Sequence, residues 1–223
     1  MKRSILILTL ALMATAIQAQ TSGFGISLKA YDPKAAFNTN VDKTAFGLSM
    51  SYFYTPEASR FTFGGEFGVA MYSSDQYDIT FQGRRITIEE EDCFFTLHGF
   101  ARYDMVKKRS FSLYSEARVG VTTFFSTTDA MFENTGFDGE FEFHGTAFNM
   151  GAGVGIMVNP VALFDKEREA SGLWLDFAIN GHSGSNTSYR MHPEGQGTFS
   201  LEDGKYESLT HYIGYRVGVI FGI

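Results

Sequence analysis

The sequence predicts an all-β fold: an eight-stranded antiparallel up-and-down transmembrane β-barrel, with short turns at one end and long loops at the other. Three observations carry this. Apolar residues recur at every second position in eight segments, the period of a strand with one apolar face. The connections between these segments alternate in length, as in outer-membrane barrels. And although 44% of the 223 residues are hydrophobic, no window beyond the first 19 approaches the roughly 20 apolar residues that a membrane helix needs.

Residues 1–19 read as a secretory signal peptide. Lys2 and Arg3 form the positive region, Ile5 to Ala16 the apolar region, and Ile17-Gln18-Ala19 the cleavage site; a second cut is available after Ala14-Thr15-Ala16. The expected mature domain is residues 20–223. Cleavage removes two positive charges, taking the formal charge from −7 to −9, which disfavours a nucleic-acid partner. Cys93 is the single cysteine, so no internal disulfide can form and the exported domain relies on burial and hydrogen bonding. The chain carries 24 Gly and 23 Phe but only 4 Pro, which excludes disordered and collagen-like classes.

The expected strands are 23–31, 44–54, 61–71, 93–103, 111–125, 148–158, 173–180 and 211–223. In 44–54, Phe46, Leu48, Met50, Tyr52 and Tyr54 alternate with Ala45, Gly47, Ser49 and Ser51. In 61–71, Phe61, Phe63, Phe67, Val69 and Met71 alternate with small residues and Glu66; in 148–158, Phe148, Met150, Val154, Ile156 and Val158 alternate with Asn149, Gly151, Gly153 and Gly155. The remaining segments follow the same pattern less cleanly. Thr55-Pro56-Glu57-Ala58-Ser59 and Asp104 to Ser110 are short connections, whereas 73–92, 126–145 and 181–210 are long. This asymmetry places both termini on the periplasmic side. Phe24, Tyr52, Tyr54, Phe61, Phe63, Tyr103, Phe111 and Phe221 then fall outward at the periplasmic strand ends, as an aromatic girdle. A hairpin over 198–209 would, as barrel wall, raise the count to ten strands.

A lipocalin-like soluble barrel carrying an apolar ligand would point its large apolar residues inward, leaving a Gly-rich wall in water. A membrane barrel turns that set to lipid and leaves the small set for a lumen that eight strands can fill with side chains. The inward set also contains Lys29, Arg102, Arg118 and Arg216 with Glu66, Glu116 and Asp176, and His98 nearby. Ionised groups away from bulk water need partners, so this set is expected to form an internal charge network plugging the lumen; a gated pore is the competing reading.

With these features the sequence resembles the small eight-stranded outer-membrane barrels of Gram-negative bacteria, the outer membrane protein A and outer membrane protein X type. The sharpest element is Tyr212 to Ile223, similar to the terminal strand that the barrel-assembly machinery recognises in that group, with Ile223 where the group usually ends in Phe. Gln20 directly after Ala19 is similar to exported proteins of the Bacteroidota. The resemblance implies residence in the cell outer membrane, lipid as surroundings, the assembly machinery as a partner during biogenesis, no cofactor, and a structural or surface-interaction role with an extracellular protein partner at the loops.

Alternation continues into the loops. Ile79 and Phe81 face Ile86 and Ile88 across Gln82-Gly83, Phe141 and Phe143 alternate with Glu140 and Glu142, and Phe199 and Leu201 lead to Asp203-Gly204, a hairpin-turn pair. The strands are therefore expected to extend as a rim. It is acidic, with Asp75, Asp78, Glu89, Glu90, Glu91, Asp92, Asp129, Glu133 and Asp138 against Arg84 and Arg85, but no calcium-loop spacing is present. For the alternative of a lipid A-modifying hydrolase, the candidates are His182 and Ser183, with His192, Glu194 or His211 nearby; adjacent strand residues point to opposite faces, so His182 and Ser183 cooperate only within a turn. His144, His182 and His192 are the candidate metal ligands. The expectation is no catalytic residue and no metal.

Overall fold

The computed structural model describes residues 20–41, 43–81, 84–132, 138–164, 172–190 and 205–222. The signal segment, His192, Glu194, Glu133 and the Asp203-Gly204 turn lie outside the described residues. Eight strands close in sequence order: β1 (Gln20–Lys34), β2 (Ala45–Pro56), β3 (Phe61–Phe81), β4 (Arg84–Lys107), β5 (Phe111–Phe132), β6 (Asp138–Val158), β7 (Leu173–Arg190) and β8 (Lys205–Gly222). Every neighbouring pair is antiparallel, and β8 returns to β1 through pairs such as Phe24↔Phe221 and Lys29↔Arg216. Closure satisfies the backbone groups of both edge strands, which a wall in hydrocarbon requires.

The ten-strand alternative is overturned. β7 and β8 pair with each other up to Arg190↔Lys205, so residues 205–209 belong to a strand already in the wall of a barrel that closes with eight. The soluble-carrier orientation is also overturned: Leu28, Phe46, Met50 and Leu97 each expose more than half their surface outward, while the lumen is filled.

Two features depart from a simple large-out, small-in wall. Tyr31, Phe53, Tyr72, Phe94, Phe100, Phe124 and Tyr212 are buried inside. Several occupy space left by glycines on neighbouring strands: a β-carbon on Gly23 would come within 2.5 Å of Phe53, and one on Gly64 within 2.5 Å of Phe100. The inward glycines thus receive rings, and alternation alone does not separate a ring that fills a glycine gap from one that meets lipid. Second, the first long connection is not plain loop. Its helix α1 (Ala35–Asn40) turns inward, and Phe37 and Val41 enter the barrel mouth.

The strands outrun the expected spans. β4 has 24 residues and β5 has 22, about twice the 9–11 that cross a bilayer. The connection 73–92 is consequently strand almost throughout: Ile79↔Ile86 and Phe81↔Arg84 are register partners around positions 82–83. β2 begins at Ala45, with Phe46 beside Met71. Beyond Met71, β3 pairs with β4 and with no second strand among the described residues. At the opposite end the turns are short, apart from helix α2 (Pro160–Phe164), which Asn159 caps by accepting from the Ala162 amide at 3.0 Å.

Candidate functional site: the filled lumen and the outer wall

The lumen is built in three layers. The charged layer lies in the middle because β1, β3, β4, β5, β7 and β8 each direct a charged residue inward there, and the register aligns them: Lys29↔Arg216, Arg102↔Glu116 and Glu66↔His98 are cross-strand partners. Lys29, Glu66, Arg102, Glu116, Arg118, Asp176 and Arg216 are all buried. Glu66 pairs with Lys29 and accepts from Arg118 at 2.7 Å. Glu116 lies 2.5 Å from Arg118, 3.0 Å from Arg102 and 3.3 Å from Arg216, and Asp176 lies 2.8 Å from Arg216. Tyr114, fully buried, donates to Asp176 at 2.5 Å and accepts from Arg216 at 2.8 Å, while the Arg102 guanidinium stacks 4.0 Å above its ring. Four cations therefore share three carboxylates and one phenol. Such sharing offsets the large cost of removing each ion from water.

Sequence reasoning missed Tyr114, which follows the same inward parity as Glu116 and Arg118 two and four residues on. His98 is inward and buried, but neither ring nitrogen has a hydrogen-bond partner among the described residues. It belongs to a ring stack instead, 5.4 Å from His182, which lies 4.6 Å from Tyr212.

Apolar layers bound the charges on both sides. Toward the termini, Phe53, Phe100 and Ile220 form a floor against Met157 and Trp174. Toward the long strand extensions, Tyr31, Phe94, Phe124 and Tyr212 form a roof that Phe37 and Val41 complete, with Phe37 5.7 Å edge-on to Phe124. The cavity lined by these roof residues holds only about 10 Å³, at the lower limit of what a single water molecule needs.

On the outer wall, Phe24 stacks on Phe221 at 4.9 Å, and Tyr54, Phe63, Phe61 and Tyr103 form a continuous ring contact at 5.0–6.3 Å. Tyr52 is exposed on the same face, and Phe111 is half-buried under Lys108. Of the catalytic candidates, Ser183 and His211 are register partners on the outer wall, whereas His182 is separated from both. His182 is buried in the lumen whereas Ser183 is exposed outside, because both lie in regular strand; His144 is also outside, so it and His182 cannot share an ion. No grouping of three His, Cys, Asp or Glu suited to a metal occurs among the described residues.

Residues 4–216 match the family described as outer membrane protein beta-barrel domain. No curated protein matches the chain. Among solved structures it is similar to a major outer membrane protein of Thermus thermophilus, at 11% identity and TM-score 0.49, over 91% of this chain and 99% of that one. It is also similar to the Yersinia pestis attachment invasion locus protein Ail in complex with the heparin analogue sucrose octasulfate, at 12% identity and TM-score 0.48, over 92% and 97%. Neisserial surface protein A is a third, at 11% identity and TM-score 0.45, over 91% and 96%. With a family match spanning almost the whole chain, this protein belongs to the outer membrane β-barrel family and resides in the cell outer membrane.

Proposed function

We propose that this protein is a non-conducting, non-enzymatic outer-membrane scaffold whose plugged barrel holds up an extracellular β-rim that meets other proteins. The observation that carries the reading is the layered lumen: a buried, ion-paired centre lies between an aromatic roof and an apolar floor. In this reading Lys29, Glu66, Arg102, Glu116, Arg118, Asp176 and Arg216 are the plug, with His98 in the ring layer above it. The outward aromatics from Phe24 to Phe221 form the periplasmic girdle. Residues 1–19 direct export, and β8 is the strand presented to the barrel-assembly machinery. The rim offers β3 beyond Met71 as an open edge on which a partner strand can add, bordered by the exposed carboxylates of Asp78 and Glu91.

Purified protein in planar bilayers is expected to give no stepwise conductance; steady channel openings would overturn the plug. For the rim, cells expressing a variant with residues 74–91 replaced by a short turn should lose binding of surface partners while keeping heat-modifiable gel mobility. Unchanged binding would overturn the rim's role. Lipid A mass spectra with and without the protein should be identical, and an acyl-chain difference abolished by Ser183→Ala would overturn the non-enzymatic reading.

A further inference from the structure

One seam of the outer wall differs in chemistry from the rest of the apolar belt. Ala152 and Gly181 are outward register partners, and Gly181 has Ile213 on its other side. Two such small neighbours leave a dent, and a β-carbon added at Gly181 would meet nothing within 4 Å. One step toward the rim, Met150, Ser183, His211 and Lys34 are successive register partners across β6, β7, β8 and β1. Dent and row together form an open cleft of about 520 Å³.

Polar residues enter the wall on the rim side of this row. On the terminal side lie outward Val154, Ile179 and Val217; on the rim side Ser185, Asn186 and Glu207 appear among outward Phe148 and Leu209, with Asn186 donating to Glu207 at 2.8 Å. Because the protein is an outer-membrane barrel, lipid covers this wall, and such a change from apolar to polar is where headgroups lie.

We infer that this cleft is a binding site for a single anionic lipid, with an acyl chain in the Ala152–Gly181 dent and the headgroup phosphate on Lys34, Ser183 and His211. Lys34 donates to Asp32 at 2.5 Å, with both side chains partly exposed. An ammonium has three donors, so this bond orients Lys34 across the seam and leaves two donors for a phosphate. The Ser183 hydroxyl and the His211 ring add O–H and N–H donors beside it, suiting the several acceptor oxygens of a phosphate. A lipid whose phosphate is covered by its own choline would gain little from the same groups. The site needs the outer wall to face lipid, so it rests on the barrel reading, but it is not required by it.

The test is native mass spectrometry of the full mature protein in detergent, with phosphatidylglycerol and phosphatidylcholine of identical acyl chains in competition. One phosphatidylglycerol should be retained in preference by about tenfold, the scale of one charge-assisted hydrogen bond. Lys34→Gln combined with His211→Gln should abolish the preference, and Gly181→Leu should reduce retention of both lipids by filling the dent. Lys107→Gln, at the opposite end, should change neither. Each variant should keep heat-modifiable gel mobility, since these side chains lie outside the packed interior. Equal retention of both lipids by the parent protein, or a preference unchanged in the double variant, would overturn the site and leave the barrel reading intact. A parent protein without heat-modifiable mobility and without bound lipid of either kind would overturn both.

Discussion

Glu116 accepts from Arg102, Arg118 and Arg216 in a position sealed from solvent. Its removal leaves three guanidinium groups competing for the remaining carboxylates. Glu116→Ala is therefore expected to lower stability by about 3–5 kcal/mol, the cost of stripping one partner from a buried ion cluster, measured as the urea midpoint of the gel mobility shift; a loss near zero would mean that water reaches the cluster. Ala58 sits at φ 55 in the turn after β2, the left-handed region that costs a residue with a β-carbon about 1–2 kcal/mol. Its neighbour closes the turn, the Ser59 amide N–H donating a hydrogen bond to the Pro56 carbonyl at 3.0 Å. Ala58→Gly should raise the same midpoint, offset in part by the greater freedom of glycine in the unfolded chain. That these ions share a face could be read from parity. That one carboxylate serves three arginines could not, because it depends on which strands close around it.

At the scale of elements, β6 carries Val154 outward at mid-wall, beside Ile179 of β7. Val154→Arg should weaken folding into bilayers by about 2–4 kcal/mol if the residue lies at the bilayer midplane, read from vesicle refolding equilibria, and a negligible loss would place it outside hydrocarbon. The β3–β4 hairpin has its own electrostatic lock: hydrogen bonds from Arg85 and Thr87 hold the Asp78 carboxyl below the usual range. The folded value is lower than the unfolded one, so the contribution is complete above the ordinary Asp value of about 3.9 and is lost as pH falls through the depressed value. An NMR titration of the Asp78 side chain should find its midpoint below that ordinary value; a midpoint at or above it would show the lock open. The alternation of Ile79, Ile86 and Ile88 announced this hairpin. Helix α1 had no comparable signal, since Phe37 and Val41 are single apolar residues in a polar connection and gain their role only from the aromatic roof they meet.

For the molecule as a whole, the charged centre, apolar floor and aromatic roof make the barrel a solid body. Trp174, the single tryptophan, reports on this from the floor, where it packs against Phe53, Phe100 and Ile220. Its emission should be blue-shifted and weakly quenched by iodide in the folded barrel, becoming accessible with the loss of gel mobility in one transition; free quenching before unfolding would show an open floor. Period-2 alternation, loop asymmetry and the small, Gly-rich opposite face by themselves determined an antiparallel up-and-down β-barrel and the outward direction of its large apolar set, because one register on a closed wall assigns every side chain to a face; the count of eight over ten was settled by the closed pairing. Only the tertiary structure decided how the lumen is sealed, how far the strands rise, and that Lys34, Ser183 and His211 share one seam. Those outcomes depend on contacts between residues distant in sequence, and a strand's own alternation contains no information about what stands across the barrel from it.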